Sequence, residues 1–248
     1  MSCYQNISRV VHKLFVKFNI TSRTFSCIAK ILNLLLLKEC KRSICRICTL
    51  CIQIKKYILF ILQHNRFIYE SKEREPDIVF IGDSLIQHMQ FSEIWLKMFQ
   101  PLHSLNFGIG GDQTQHVLWR VENGEMDFAE PKVIVLLVGT NNHDHTHEQV
   151  TEGILAIVKA IQDRQSHGIP PRGEKPNPLR EKIKKINESL QAKLYNKPNV
   201  MFLNVDFSLF VNSEGLIDSA DMYDYLHMTN EGYRKFCEPL VEEVQNLP

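Results

Sequence analysis

The residues of this 248-residue chain that could do chemistry together are a serine, an Asp–His pair, a glycine and an asparagine. Ser84 closes the stretch Asp77-Ile-Val-Phe-Ile-Gly-Asp-Ser84, a short apolar run that reads as a buried strand turning into a helix. A helix start offers free N–H groups and a positive dipole end to developing negative charge. Alone, Gly-Asp-Ser reads equally well as a helix cap, since Asp and Ser both cap. A serine nucleophile also needs a base and a group to orient that base. Asp224-Tyr-Leu-His227 supplies both, because two intervening residues let the carboxylate reach one ring nitrogen while the other points outward. In isolation that pair is a surface turn. The third requirement is a set of donors aimed at a tetrahedral oxyanion. The N–H groups of Ser84 and Gly111 and the side-chain amide of Asn141 are the candidates. Gly111 lacks a Cβ and so permits close approach, and Asn141 is equally suited to capping a helix. His143, His145 and His147 alternate as zinc ligands can, but no acidic or cysteine set completes them. They read as a solvated loop and helix start, and neither metal nor cofactor is expected.

These residues need a frame that gathers them. Strands are expected at Ile78–Ile81, Leu102–Phe107, Lys132–Val138 and Val200–Val205, the third being a continuous β-branched and aliphatic run of the kind covered on both faces. Apolar spacing predicts helices over Leu85–Phe99 (interrupted near Phe91-Ser92), Thr114–Val121, Thr146 to about Arg164, Leu179–Tyr195 and within Met228–Leu247. Thr146-x-x-Gln149 has the form of a capping box. Gln63–Pro76 reads as a charged lead-in arm, and Phe207–Ala220 as irregular. Strands alternating with helices give a parallel sheet covered on both faces. In such a sheet Gly-Asp-Ser84, Gly-Ile-Gly-Gly-Asp112 and Gly-Thr-Asn-Asn142 all lie on one edge. That convergence turns Ser84 from a cap into a candidate nucleophile.

With these residues in place, the chain resembles the SGNH or GDSL hydrolase superfamily, with Ser84, Gly111, Asn141 and His227 at the four named positions. The strings Gln63-His-Asn-Arg-Phe67, Asn106-Phe-Gly-Ile-Gly-Gly-Asp112, His116-Val-Leu-Trp-Arg120, Val138-Gly-Thr-Asn-Asn-His143, Pro171-Arg-Gly-Glu-Lys-Pro-Asn-Pro-Leu-Arg180 and Asp221-Met-Tyr-Asp-Tyr-Leu-His227 are similar to the catalytic subunits of the intracellular platelet-activating factor acetylhydrolase Ib family. The resemblance covers about Gln63–Leu247. It implies a flavodoxin-like three-layer α/β sandwich and a carboxylic ester hydrolase. The expected reaction removes the sn-2 acetyl group of a platelet-activating-factor-like ether phospholipid through an acetyl-serine, with catalytic residues Ser84, Asp224 and His227. It further implies an acyl pocket lined by Leu85, Thr140 and Leu226, homodimers or heterodimers with a sister subunit, and a WD-repeat β-propeller partner, the lissencephaly protein. A cytoplasmic location and no nucleic-acid partner are expected. A carbohydrate or xenobiotic acetyl-esterase of the same superfamily is a further reading.

The chain departs from the family in two places. Residues 1–62 hold eleven Lys and Arg against Glu39 as sole acid, with six of the seven cysteines, whereas residues 63–248 carry a balance of minus nine. The boundary is therefore set at 62/63, with a basic, cysteine-rich segment of unassigned structure before a hydrolase domain. The segment is read as a transit peptide, as a basic amphipathic surface for anionic membrane, or as sequence foreign to the functional protein. Cys45-x-x-Cys48-x-x-Cys51 lacks a fourth ligand at a recognised spacing for zinc or an iron–sulfur cluster. The second departure lies at residues 165–171, where the family has an internal strand and this chain has too few apolar residues for one. A sheet lacking that strand would leave backbone groups unsatisfied and endanger the placement of His227. It is the ground for an alternative, a catalytically impaired variant that serves as a subunit-binding protein for the WD-repeat partner.

Overall fold

The computed structural model describes residues 44–161 and 166–245. Residues 1–43, with the readings made on them, and the side chains of Cys45, Cys48 and Cys51 lie outside that description. The chain divides into two compact units, Met1–Leu59 and Phe60–Pro248, and the second holds every candidate site residue.

Helix α1 spans Ile44–Glu73. Strand β1 (Ile78–Gly82), helix α2 (Ser84–Met89), strand β2 (Leu105–Gly108), helix α3 (Thr114–Arg120) and strand β3 (Val133–Leu137) follow. Then come helix α4 (His147–Ile161), strand β4 (Ser166–His167), helix α5 (Pro178–Leu194), strand β5 (Phe202–Leu203) and helix α6 (Asn230–Gln245). The five strands pair in parallel in the order β2-β1-β3-β4-β5. The order reverses beside β1, which is where ligands collect at the carboxyl edge of such sheets.

The three layers follow from the period-two alternation of strand side chains. Val79, Ile81, Ile134 and Leu136 face one side and pack with Phe67, Val117, Ile154, Ile157, Ile186 and Leu190 from α1, α3, α4 and α5. Ile78, Phe80, Val133, Val135 and Leu137 face the other and pack with Ile86, Trp95, Phe99, Phe236 and Leu240, which brings α6 over α2. Gly82 keeps β1 and β3 close, since a Cβ there would sit 2.0 Å from the Leu137 carbonyl oxygen.

Two expectations are corrected. The stretch read as a polar arm is helical to Glu73, and it buries His64, Phe67 and Ser71. The internal strand at 165–171 is present, although it is only two residues long. Ser166 pairs with Leu136 on one side and Phe202 on the other, and His167 pairs with Leu203. Beyond it the Gly168 N–H donates to the Leu203 carbonyl at 2.8 Å. Asn187 of α5 then takes over: its Oδ1 accepts from Ile169 N at 2.9 Å and its Nδ2 donates to Ile169 O at 2.8 Å. A helix side chain thus satisfies backbone groups that a longer strand would have paired. Strand β5 is likewise shorter than the run Val200–Val205 suggests. Helix α2 stops at Met89, and a π-helical turn follows at Trp95–Phe99, consistent with the break expected at Phe91-Ser92.

Candidate active site

The cap and the candidate nucleophile are separate residues. Asp83 is the N-cap of α2, its Oδ1 accepting from Leu85 N at 2.9 Å. Ser84 is left as the first helical residue, with its hydroxyl free for another partner. That partner is His227, whose Nε2 lies 2.9 Å from Ser84 Oγ. The His227 Nδ1 lies 2.6 Å from Asp224 Oδ2. A carboxylate only accepts, so Nδ1 carries the proton and Nε2 is the acceptor for the serine hydroxyl. The Asp224 Oδ1 also accepts from His227 N at 2.7 Å and Leu226 N at 3.2 Å. Burial pushes the Asp224 carboxyl up, but the bonds from the His227 backbone and ring outweigh it and hold it below the usual carboxylate range.

The loop that makes this pair is tight. Tyr225 sits at a φ of 60°, a left-handed conformation uncommon for an aromatic residue. It is held from both sides: its N–H donates to Met222 O at 2.9 Å and its carbonyl accepts from Gly173 N at 2.7 Å. Met222 and Met228 form an antiparallel bridge around the loop. The hydroxyl of Tyr233 in α6 donates to Leu85 O at 2.7 Å, fixing α6 to α2. His227 is therefore placed by α6, by its preceding loop and by the Gly173 contact from the segment after β4, and it stays 2.9 Å from Ser84 although β4 is short.

The donors expected for an oxyanion converge on the same edge. Neither the Ser84 nor the Gly111 N–H has an acceptor among the described residues. Asn141 donates one amide hydrogen to Asp112 O at 2.9 Å, leaving its second available. The carbonyl of Asn141 accepts from Gln113 Nε2 at 2.8 Å, and Thr114 N donates to Asn142 Oδ1 at 3.1 Å. The β2–α3 and β3–α4 loops are clipped together in this way. Gly111 has a φ of 83°, and a Cβ on it would meet nothing within 4 Å. Its positive φ favours glycine, and the space beside it is open to a group approaching the N–H.

Of the expected acyl-pocket residues, Leu85 is fully buried and Leu226 packs against the same cluster. Thr140 is buried, and its carbonyl and hydroxyl both accept from Arg172 Nη1, at 2.8 and 3.2 Å. Arg172 also meets His143 Nε2 at 2.9 Å, while His147 faces Glu148. His143 and His147 thus have different partners. Sequence reasoning missed Arg172, and it missed His88 and Tyr223, whose rings lie 4.8 and 5.9 Å from that of His227. It also missed a buried ionic group beneath the loops. Asp112 lies 3.0 Å from Arg120 Nε; burial raises its carboxyl to about 7, and the arginine opposes that rise.

The profile of the GDSL-like lipase/acylhydrolase family matches residues 80–235. The chain is 53% identical over 191 residues to platelet-activating factor acetylhydrolase IB subunit alpha2 of Homo sapiens, a match covering 75% of this chain and 83% of that protein. It is 54% identical over 183 residues to the alpha1 subunit of Bos taurus, covering 71% and 78% respectively. Among solved structures it is similar to a GDSL-like lipase of Bacteroides thetaiotaomicron. The TM-score is 0.60 at 18% identity, over 73% of this chain and 97% of that one, a likeness of fold.

Proposed function

This chain belongs to the GDSL-like lipase/acylhydrolase family, and from that premise we propose that it is a serine esterase cleaving a short acyl ester. The substrate we assign is the sn-2 acetyl ester of a platelet-activating-factor-like ether phospholipid. The observation that carries the reading is the continuous chain Asp224–His227–Ser84, with steps of 2.6 and 2.9 Å. Identity of 53–54% to the named acetylhydrolase subunits supports the substrate.

In this reading His227 Nε2 takes the Ser84 proton as Oγ attacks the acetyl carbonyl. The tetrahedral oxyanion lies among the Ser84 and Gly111 N–H groups and the free Asn141 amide hydrogen, donors that need no rearrangement. His227 then passes its proton to the departing glycerol oxygen, leaving acetyl-Ser84. A water attacks the acetyl group with His227 again as base, the bond to Ser84 Oγ breaks as His227 returns the proton to that oxygen, and acetate departs. Asp224 holds the tautomer that makes Nε2 the base. Leu85, Thr140 and Leu226 bound the acyl group, and each extra methylene is discriminated by about 1–3 kcal/mol. Pairing with a second copy or a sister subunit, and docking to a WD-repeat propeller, are proposed from the same relatives.

Incubation with a radiolabelled fluorophosphonate is expected to label Ser84 and to abolish hydrolysis of an acetyl ester, with Ser84→Ala refractory. Folded protein that takes no label overturns the reading. The second reading, a subunit-binding protein of low activity, rests on β4 being only two residues long, and against it stands the 2.9 Å step from His227 Nε2 to Ser84 Oγ. In that case the WD-repeat partner would raise the melting temperature while turnover stays at background.

A further inference from the structure

Arg120 is the bulkiest side chain among the described residues with none of its surface exposed. It closes α3, and it uses all three guanidinium nitrogens. Nε donates to Asp112 Oδ2 at 3.0 Å and Nη1 to Glu125 Oε2 at 2.6 Å. Nη2 donates to Phe107 O at 3.1 Å and to Gly82 O at 3.3 Å. The far oxygen of Glu125 is 2.9 Å from Nδ1 of buried His64 on α1. Glu125 reaches back because α3 passes into a π-helical turn, Val121–Glu125, in which Gly124 has a φ of 107°. Such turns are frequent where a helix has been bent to functional use.

A buried ion-pair group contributes little net stability against well-packed apolar side chains, so its atoms matter more for what they hold. Gly82 O lies two residues before Ser84. Phe107 is the last residue but one of β2, the strand that leads to Gly111. Asp112 directly follows Gly111, and its carbonyl accepts the Asn141 amide at 2.9 Å. Ser84 and Gly111 are therefore within a few residues of atoms tied to one guanidinium, and Asn141 is hydrogen-bonded to the backbone of Asp112, whose side chain that guanidinium holds; Arg120 itself makes no bond to Ser84 or His227.

Resting on the esterase reading, we propose that Arg120, anchored by Glu125 and His64, is a positioning residue that sets the oxyanion hole. Its fork bonds the carboxyl ends of β1 and β2 and the Asp112 side chain, three points that a single ammonium cannot reach with the same geometry. The test compares wild type with Arg120→Lys on one acetyl ester. Displacement of donors by a fraction of an ångström is expected to lower kcat by about 10- to 100-fold. KM should stay within about threefold, because the ground-state ester gains little from the oxyanion donors. The acid limb of the kcat/KM profile, set by the base, should not move, whereas a general loosening of the fold would disturb His227 and shift it. Fluorophosphonate labelling of Ser84 should slow in parallel with kcat. A folded Arg120→Lys protein with wild-type kcat overturns the inference and leaves the esterase reading intact. Wild-type protein that neither turns over nor labels removes both. If Arg120→Lys does not fold, Glu125→Gln is measured instead: a fall in kcat of about threefold or more at constant KM supports the role, and wild-type kcat overturns it.

Discussion

Asp83 and Ser84 divide two jobs that their side-chain chemistry would let either perform. Asp83 Oδ1 caps α2, while its Oδ2 is buried without a partner among the described residues, and burial raises the carboxyl to about 7. The folded chain therefore holds a proton that the unfolded chain has released. A carboxyl raised in this way contributes stability that is complete below the unfolded value near 4 and lost as the pH climbs through about 7. Asp83→Asn keeps an oxygen for the cap and cannot ionise. Relative to wild type its stability should improve from pH 4 to pH 8, by up to a few kcal/mol, as read by denaturant unfolding at each pH. A constant difference across that range would count against an ionising Asp83. Asp224 has the opposite sign, being held below the usual range. Its charged form is the favoured one, so it should leave no limb of its own on the rate profile around neutral pH. Asp224→Asn, which permits the wrong tautomer of His227, should cost roughly 100- to 10,000-fold in kcat with KM little changed. Steady-state kinetics on one acetyl ester checks this.

Asn187 decides whether a sheet with so short a β4 can close. Replacing it with leucine would leave the Ile169 N–H and C=O without partners in a buried place. At about 1–3 kcal/mol for each orphaned group, Asn187→Leu should lose roughly 2–5 kcal/mol of stability in urea melts. Activity should survive in the fraction that stays folded, because α6 and its loop hold His227. Loss of activity in fully folded protein would show that β4 does govern the site. The reason the sequence suggested a missing strand is now physical: strand signals are made of apolar side chains, and here an amide midway along a helix supplies the pairing. The same limit explains α1, where residues 63–73 bury His64, Phe67 and Ser71 at helical spacing. Two of those three are polar, so hydrophobic periodicity carries little signal. β1 and β3 were legible because their β-branched runs need no context. Asp224 and His227 were legible because their contact is local. Arg120 and Glu125 were not, since a charged residue is read as exposed until a fold supplies its partners.

For the molecule as a whole, charge is distributed unevenly along the chain. Residues 1–62 carry eleven basic side chains and one acid, and residues 63–248 a net minus nine. No helix among the described residues is long and apolar enough to cross a membrane. The proposed ether phospholipid substrate is itself amphiphilic, so lipid surfaces are where the charge asymmetry can be tested. The hydrolase part, being acidic, is repelled by anionic lipid, whereas clustered Lys and Arg near such a surface are worth about 1 kcal/mol each. Attraction through the basic segment should dominate at low salt and vanish when the Debye length falls to about 3 Å near 1 M salt. The full chain should therefore co-sediment with vesicles rich in phosphatidylserine at low ionic strength, release in high salt, and ignore neutral phosphatidylcholine vesicles. Turnover of a water-soluble acetyl ester should be the same with and without anionic vesicles, since the site residues lie on the carboxyl edge of the sheet and not in the basic segment. Binding that is indifferent to salt or to lipid charge would show that the asymmetry has no part in how this chain meets lipid.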